Sequence, residues 1–431
     1  SISKAHFGPL RRGAMGAACS GCFEGLRGSA ARQTVPPALR DSALTGFTAT
    51  YGGARPVALG VAPGRAEVLG NHTDYNEGYI LAATVDRYVV AAGRAVGHNG
   101  CRVSSGGFPG IVVDFSSVHP ERQTGERSWA NYVIGVVDEL QKLGVQVNGF
   151  DAFLASDVPP GAGVSSSAAV EMATAKLLAQ LFPQSVGKLN DLTLIKAAKA
   201  AENNFVGMGC GILDQFSSGK GRCGTLLYLD CRTLEYQYVP FKGAQFVLAN
   251  THAPHQLVDG KYGELRAHCF EAAGAFREAV GNEQITHLRD VCAEDFHKHS
   301  ERLSGPQRRV SFHIVTENNR VLTGVKALRS GNVAALGQLM SESHESSRDQ
   351  FGNSCHELNV MQECADGIKG FLGARLMGGG FGGSTINLVK QGFAKSFAAE
   401  LARRYKEKTG IDPTVLTFEP GDGAFSAVVP A

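Results

Sequence analysis

Residues 159–178 read PPGAGVSSSAAVEMATAKLL. The run FDAFLA at 150–155 is strand-like and feeds into them. Residues 164–182 then carry a helical pattern that stops before Pro183. The stretch is a strand, a glycine-rich turn and a helix in succession. Gly161 and Gly163 let the backbone approach a ligand closely, with Ala162 and Val164 completing the turn. The first helical turn, reaching Ala168, presents unpaired N–H groups and the positive end of a helix dipole. Ser165, Ser166 and Ser167 add three hydroxyls at the same place. Together these make a cradle for phosphate. The pattern GxxxxGK[ST] is absent, so the loop is not of the Walker A type. A plain glycine turn with serine caps is the competing reading. Two glycines and three serines at one helix start weigh against it.

Upstream, residues 62–78 read APGRAEVLGNHTDYNEG. A proline–glycine turn leads into Arg65. Six residues later Asn71, His72, Thr73 and Asp74 set four hydrogen-bonding side chains in a row. Such a cluster suits a polyhydroxylated ligand, because each hydroxyl both donates and accepts and a buried site has to satisfy both. Standing alone, the cluster reads equally well as a polar surface turn. Downstream, CGILDQF at 210–216 places Asp214 among glycine and apolar residues. A carboxylate there needs a partner, and Arg65 is a candidate that would hold it ionised. By itself this segment reads as a structural ion pair. Near the end, ARLMGGGFGGSTINLV at 374–389 puts five glycines in six positions around Phe381. No regular element is built that way. The loop brings its backbone close to a nucleotide or to a facing lobe.

Composition narrows the function classes. The chain has 431 residues, 43% hydrophobic and 19% charged, enough for two domains. Its 42 basic and 40 acidic residues leave a net charge of +2, which implies no nucleic-acid partner. No run of 18 or more apolar residues occurs, so no membrane span is expected. Ten scattered cysteines read as reduced thiols of a cytoplasmic protein. Cys19 and Cys22 form a CxxC with no second pair and no nearby histidine, so zinc is not expected. Residues 1–40 are rich in Ala, Gly, Ser and Arg, and read as a disordered extension before an ordered region that begins near Asp41.

Strand patterns fall at 57–61, 79–96, 150–155, 224–230 and 245–251. Helical spacing runs from Ser128 through Trp129, Tyr132, Val133, Val136, Val137 and Leu140 to Gly144, and again at 191–205. The second half alternates helices (about 256–280, 310–329, 332–346 and 355–368) with strands (373–377, 384–389, 414–418 and 424–429). The pattern predicts an α+β fold of two lobes, residues 41–238 and 239–431, with the ligand site between them.

The four motifs, in this order, resemble the galactokinases of the GHMP kinase superfamily, from about Asp41 to the end of the chain. That family carries GRxNxIGEHxDYxxGxVLP where this chain has GRAEVLGNHTDYNEGYILA, and GGGLSSSA where this chain has GAGVSSSA. It also has a CGIMDQ-like stretch and a terminal GGGFGG. WANYV at 129–133, HQLVDGKYGELRAHC at 255–269 and SHESSRDQFGNSCHEL at 343–358 are further likenesses. The resemblance implies a monomeric, two-lobed GHMP kinase-like enzyme that phosphorylates C1 of galactose with ATP and Mg²⁺. It implies Asp214 as the catalytic carboxylate and Arg65 as its holder and a contact of the transferring phosphate. It implies Asn71, His72, Asp74, Gly211 and Tyr262 around the sugar. The loop from Gly161 to Ala168 falls on the triphosphate, Trp129 near adenine, and Ser167 and Glu202 at the metal.

Two positions depart from the family pattern. The family glutamate before the histidine, which binds the sugar's C6 hydroxyl, is Asn71 here, and the family asparagine four residues earlier is Glu67. On an extended strand these lie about 13 Å apart, so direct compensation is not expected. Asn71 is therefore expected to face C6 and to admit C6-modified sugars such as galacturonate. Related 1-kinases acting on N-acetylgalactosamine or galacturonate, and a non-catalytic galactose sensor, are the alternatives. Ser167, Ala168 and Asp214 favour an enzyme over a sensor.

Overall fold

The computed structural model describes residues 34–253 and 258–430. The Cys19–Cys22 pair and most of the expected extension lie outside them. Residues 37–40, assigned to that extension, instead open helix α1 (Pro37–Thr50). A proline stands in its first turn, and Leu39, Ala43 and Phe47 form a buried stripe at helical spacing.

The chain then runs through β1 (Ala58–Leu69), β2 (Tyr79–Ala95), β3 (Gly100–Ser105), β4 (Val112–Ser116), α2 (Asn131–Lys142), β5 (Phe150–Ser156), α3 (Ser166–Leu181), α4 (Asp191–Ala200), α5 (Leu213–Lys220), β6 (Thr225–Asp230) and β7 (Tyr236–Pro240). There follow β8 (Ala244–Asn250), α6 (Val258–Val280), α7 (Ala293–His299), α8 (Gly305–Arg329), α9 (Val333–Ser346), α10 (His356–Ala365), β9 (Phe371–Leu376), β10 (Ser384–Lys390), α11 (Ala394–Thr409), β11 (Thr414–Phe418) and β12 (Phe425–Val428). One sheet is ordered β12-β1-β2-β5-β3-β4, with β6 and β7 continuing from the first half of β2. The other is ordered β11-β8-β10-β9. Every pairing is antiparallel except β3 with β5. One apolar cluster joins the two sheets, with Leu69, Leu177, Leu213, Phe246 and Ile386 among its members. Among the described residues no helix is long and apolar enough to cross a membrane.

Three differences from the sequence reading bear on the site. The segment 424–429 is a strand, but β12 pairs with β1 in the first sheet, with Ala58 beside Val428, so a division at 238/239 does not hold for it. The expected turn at Pro63–Gly64 is instead part of β1, which passes it through a register shift. A side chain at Gly64 would bring its Cβ within 2.7 Å of the Val164 carbonyl. Glycine there lets the loop before α3 lie on β1, and the Arg65 amide donates to Val164 O at 3.0 Å. Finally, β1 ends in a second register shift between Glu67 and Leu69, and the chain turns sharply at Gly70.

That turn is held from the other end of the molecule. Glu317 of α8 is fully buried. Its Oε1 accepts from the amides of Gly70 (2.8 Å) and Asn71 (3.1 Å) and from the Ser343 hydroxyl (2.8 Å). Its Oε2 takes Arg320 Nε at 2.6 Å. Burial works to raise this carboxyl's pKa, but Arg320 and Arg375 beside it hold it far below the usual range. Glu317→Ala leaves two buried amides and a buried guanidinium without their acceptor. It should lower stability by about 3–5 kcal/mol, read as a reduced urea midpoint at unchanged m-value. A loss under about 1 kcal/mol would mean that the turn does not depend on it.

Candidate active site

The phosphate-cradle segment has the predicted form. Gly161 and Gly163 adopt φ of 67° and 70°, and Ser165 is also left-handed at φ 52° immediately before α3. The loop is tied down from both sheets. Arg65 of β1 donates from Nη1 to Gly163 O, and Ser384 of β10 donates to Ala162 O at 2.7 Å. Ser165, Ser166 and Ser167 at the start of α3 remain partly exposed, where an anion would find first-turn N–H donors and the positive end of the dipole.

Asp214 enters this cradle from the first turn of α5. Arg65 Nε donates to its Oδ1 at 2.7 Å, as the sequence suggested. Its Oδ2 accepts from the Ser165 hydroxyl. One carboxylate is thus fixed by the strand that leads to the polar cluster and by the phosphate loop. Asp74 lies close by. A Cβ on Gly211 would fall 1.9 Å from Asp74 Oδ2, so only glycine at 211 leaves that oxygen in place. Asp74 Oδ1 accepts from the Tyr75 amide at 2.9 Å. Burial, then the charges of Asp214 and Glu67, push the Asp74 carboxyl up to about 6.

Behind Asp214, Gln215 joins two further carboxylates. Its amide donates to Glu171 at 2.9 Å and to Glu202. Burial and the charge of Asp214 raise the pKa of Glu202, while Ser167, Cys210 and Gln215 donate to its carboxylate. Ser167 and Glu202 therefore meet, as a shared metal would require. Among the described residues no group of three His, Cys, Asp or Glu side chains converges as a ready metal cage. A two-oxygen site fits an ion that takes its remaining ligands from phosphate and water.

The glycine loop at 378–383 faces the polar cluster of residues 71–72. His72 donates from Nε2 to Gly379 O at 3.2 Å, and its Nδ1 accepts from the Tyr75 hydroxyl at 2.8 Å. Burial holds this imidazole near pKa 4, so it is neutral at pH 7. Its ring packs on Tyr262 and Phe351, with centroids 5.2 and 4.5 Å away. Both ring nitrogens are used within the protein, so the expected polar contact of His72 with a sugar is not available in this arrangement.

Asn71 needs a fuller correction. Its Nδ2 donates to Glu67 Oε1 (3.1 Å) and Gly378 O (2.7 Å). Its Oδ1 accepts from Ser347 Oγ (3.2 Å) and Asn353 Nδ2 (2.9 Å). The side chain is fully buried and its hydrogen-bonding capacity is filled, so it has nothing to offer C6. The 13 Å separation assumed a straight strand. The turn at Gly70 folds Asn71 back until it touches Glu67. Trp129 stands in the 3-10 turn before α2, stacked on Phe108 with centroids 5.5 Å apart and planes inclined by 7°.

Glu67, Arg375, Asn353 and Glu317 were not singled out as site residues in the sequence. Arg375 and Asn353 lie inside quoted segments, 374–389 and 343–358, and Glu67 is one of the exchanged pair, but nothing in those segments shows what each side chain would meet; Glu317 lies in a helix with no motif at all.

Residues 45–95 match the Galactokinase galactose-binding signature, 131–222 the GHMP kinases N terminal domain, and 325–407 the GHMP kinases C terminal. The galactokinase of Thermotoga petrophila is 38% identical over 368 residues, which cover 84% of this chain and 98% of that protein. That of Bacillus subtilis is 35% identical over 384 residues, 88% of this chain and 96% of the other. The structure of Lactococcus lactis galactokinase complexed with galactose matches with a TM-score of 0.82 at 30% identity, covering 88% of this chain and 98% of that one. Methanococcus jannaschii mevalonate kinase, at 16% identity and a TM-score of 0.56, shares the fold. The signature takes in Arg65, Glu67, Asn71 and Asp74, and the N-terminal match takes in the phosphate cradle, Glu202 and Asp214. Agreement over nearly the whole length of these galactokinases, in sequence and in fold, places this chain in the galactokinase family of the GHMP kinases.

Proposed function

We propose that this protein transfers the γ-phosphoryl group of ATP to the C1 hydroxyl of galactose, giving galactose 1-phosphate and ADP. The observation that carries this reading is the double anchorage of Asp214, held by Arg65 from β1 and by Ser165 from the phosphate cradle. A carboxylate so placed stands at the junction of a sugar pocket and a triphosphate loop.

The steps follow from that geometry. The cradle amides of Gly161–Ala168 hold the triphosphate, and Trp129 flanks the base. Asp74, whose Oδ2 accepts from no donor among the described residues, accepts from sugar hydroxyls, and Tyr262 closes the pocket over His72. The C1 hydroxyl replaces or joins Ser165 as a donor to Asp214 Oδ2, which orients it and receives its proton. The C1 oxygen then bonds to the γ-phosphorus as the bond to the β–γ bridging oxygen breaks, and ADP leaves. Arg65 Nη2, which has no protein acceptor among the described residues, is available to the equatorial oxygens. Ser167 and Glu202 would hold Mg²⁺, which supplies charge neutralisation of the phosphates. Most of the rate comes from positioning and preorganised charge. The intact Ser167–Ala168 pair and Asp214 argue against a non-catalytic sensor.

Asp214→Asn should keep the fold and ATP binding and lower kcat by about 10²–10⁴-fold, in line with positioned proton transfer. A variant retaining a third of the wild-type kcat would remove that role. Ser167→Ala and Glu202→Ala should each shift the magnesium activation curve to higher concentration with little change in galactose affinity. Superimposable curves would remove both from the metal. Ionised Asp74 accepts on both oxygens, and its pKa is raised to about 6. In the free enzyme, protonation at lower pH turns one oxygen into a donor and removes the charge that strengthens both contacts. The kcat/KM for sugar should therefore fall as pH drops below about 6, and Asp74→Asn should lower kcat/KM at pH 7 and abolish that limb. An acid limb unchanged in Asp74→Asn would assign it to another group.

A further inference from the structure

We propose that Glu67 is the specificity-determining carboxylate of the sugar pocket, positioned by Asn71 and Arg375, and that through it the site admits a neutral sugar and refuses a uronate. This rests on the sugar-kinase reading above and names the residue that sets its substrate class.

Glu67 and Arg65 are two residues apart on β1 and share a face of the strand. Arg65 reaches from that face to Asp214, so Glu67 is directed toward the same pocket. Glu67 keeps only 4% exposure. Its Oε1 takes both inward contacts, Asn71 Nδ2 at 3.1 Å and Arg375 Nη1 at 2.6 Å. Both of these bonds fall on Oε1, and Oε2 accepts from none of the described residues. A nearly buried carboxylate with one oxygen locked and the other open is set to receive a donor from a ligand. Asn71 cannot take that part, because its amide is filled by four protein contacts.

Charge decides which ligand fits. The pocket gathers the carboxylates of Asp74, Asp214 and Glu67. Arg65 is committed to Asp214, and Arg375 to Glu67. Arg375 is fully buried, and its Nη1 is taken by Glu67; its Nε and Nη2 are buried without a partner among the described residues, so its charge acts on the pocket only from behind Glu67. The field of Glu67 reaches Asp74, whose pKa it helps to raise. Ligand hydroxyls meet acceptors throughout, and a ligand carboxylate meets like charge in a partly desolvated place. The neutral amide at position 71 therefore does not loosen the site, because the negative charge sits beside it at position 67.

The experiment measures kcat/KM for galactose and galacturonate with the wild type, Glu67→Gln, and the exchange variant Glu67→Asn/Asn71→Glu, each checked by thermal unfolding. The wild type should prefer galactose by at least about 100-fold. Glu67→Gln should narrow that preference by about 10-fold or more, mainly through KM. The exchange variant keeps one carboxylate and one amide in the same contact and should return the preference toward the wild-type value. A wild type that uses both sugars equally overturns the proposal, whatever the variants do. So does a folded Glu67→Gln with an unchanged preference, or an exchange variant that behaves like Glu67→Gln. A wild type that phosphorylates neither sugar fails the kinase reading itself, a result separate from these.

Discussion

A single buried carboxylate, Glu317, sets the path of the chain through the sugar-facing segment. A turn that leaves a buried strand exposes its amides to an apolar interior, and those of Gly70 and Asn71 need an acceptor. Glu317 provides one, and Arg320 provides the charge that lets a carboxylate stay ionised there. With the turn fixed, Asn71 folds back on Glu67 and His72 reaches the glycine loop. Asp74 is then placed against Gly211. The pocket on one lobe is therefore shaped by a side chain from a helix of the other.

Asp214, the proposed catalytic carboxylate, illustrates a second constraint. Asp214, Asp74, Glu67, Glu171 and Glu202 are acidic groups drawn into one region, and two guanidinium groups offset part of that charge. Such a region is costly to assemble without cations, and its raised pKa values at Asp74 and Glu202 express that cost. In the proposed reaction the reactants bring the rest: hydroxyl donors on one side, and a triphosphate with its cation on the other. Preorganisation here means Asp214 and Glu67 each fixed by one guanidinium, with Asp74, Glu171 and Glu202 left without a basic partner among the described residues.

The motifs were legible because each packs its chemistry into a short run. Gly161 to Ser167 names its own conformation, and the pairing of Arg65 with Asp214 follows from two charged residues in glycine-rich, apolar settings. Contacts between single polar residues far apart in sequence were not legible. Nothing local marks Arg375 as the partner of Glu67 or Asn353 as that of Asn71. Distance along the chain also misled, since an extended ruler fails where a strand ends in a bulge and a glycine turn. Strands β3 and β4, of six and five residues, were not among those expected from the sequence. Helix α11 did carry a signal, the buried series Ala394, Phe397, Leu401 and Tyr405, beneath a heavily charged surface.

Strand β12 closes the first sheet by pairing residue 425 with residue 61 and residue 428 with residue 58. The strand it completes is the one that carries Arg65 and Glu67. An open edge of apolar strand invites intermolecular pairing, and β12 covers one edge of β1. Loss of the segment 425–428 would bare that edge on the very strand that carries Arg65 and Glu67, so keeping the molecule apart from its copies and keeping those two side chains in place depend on the same four residues.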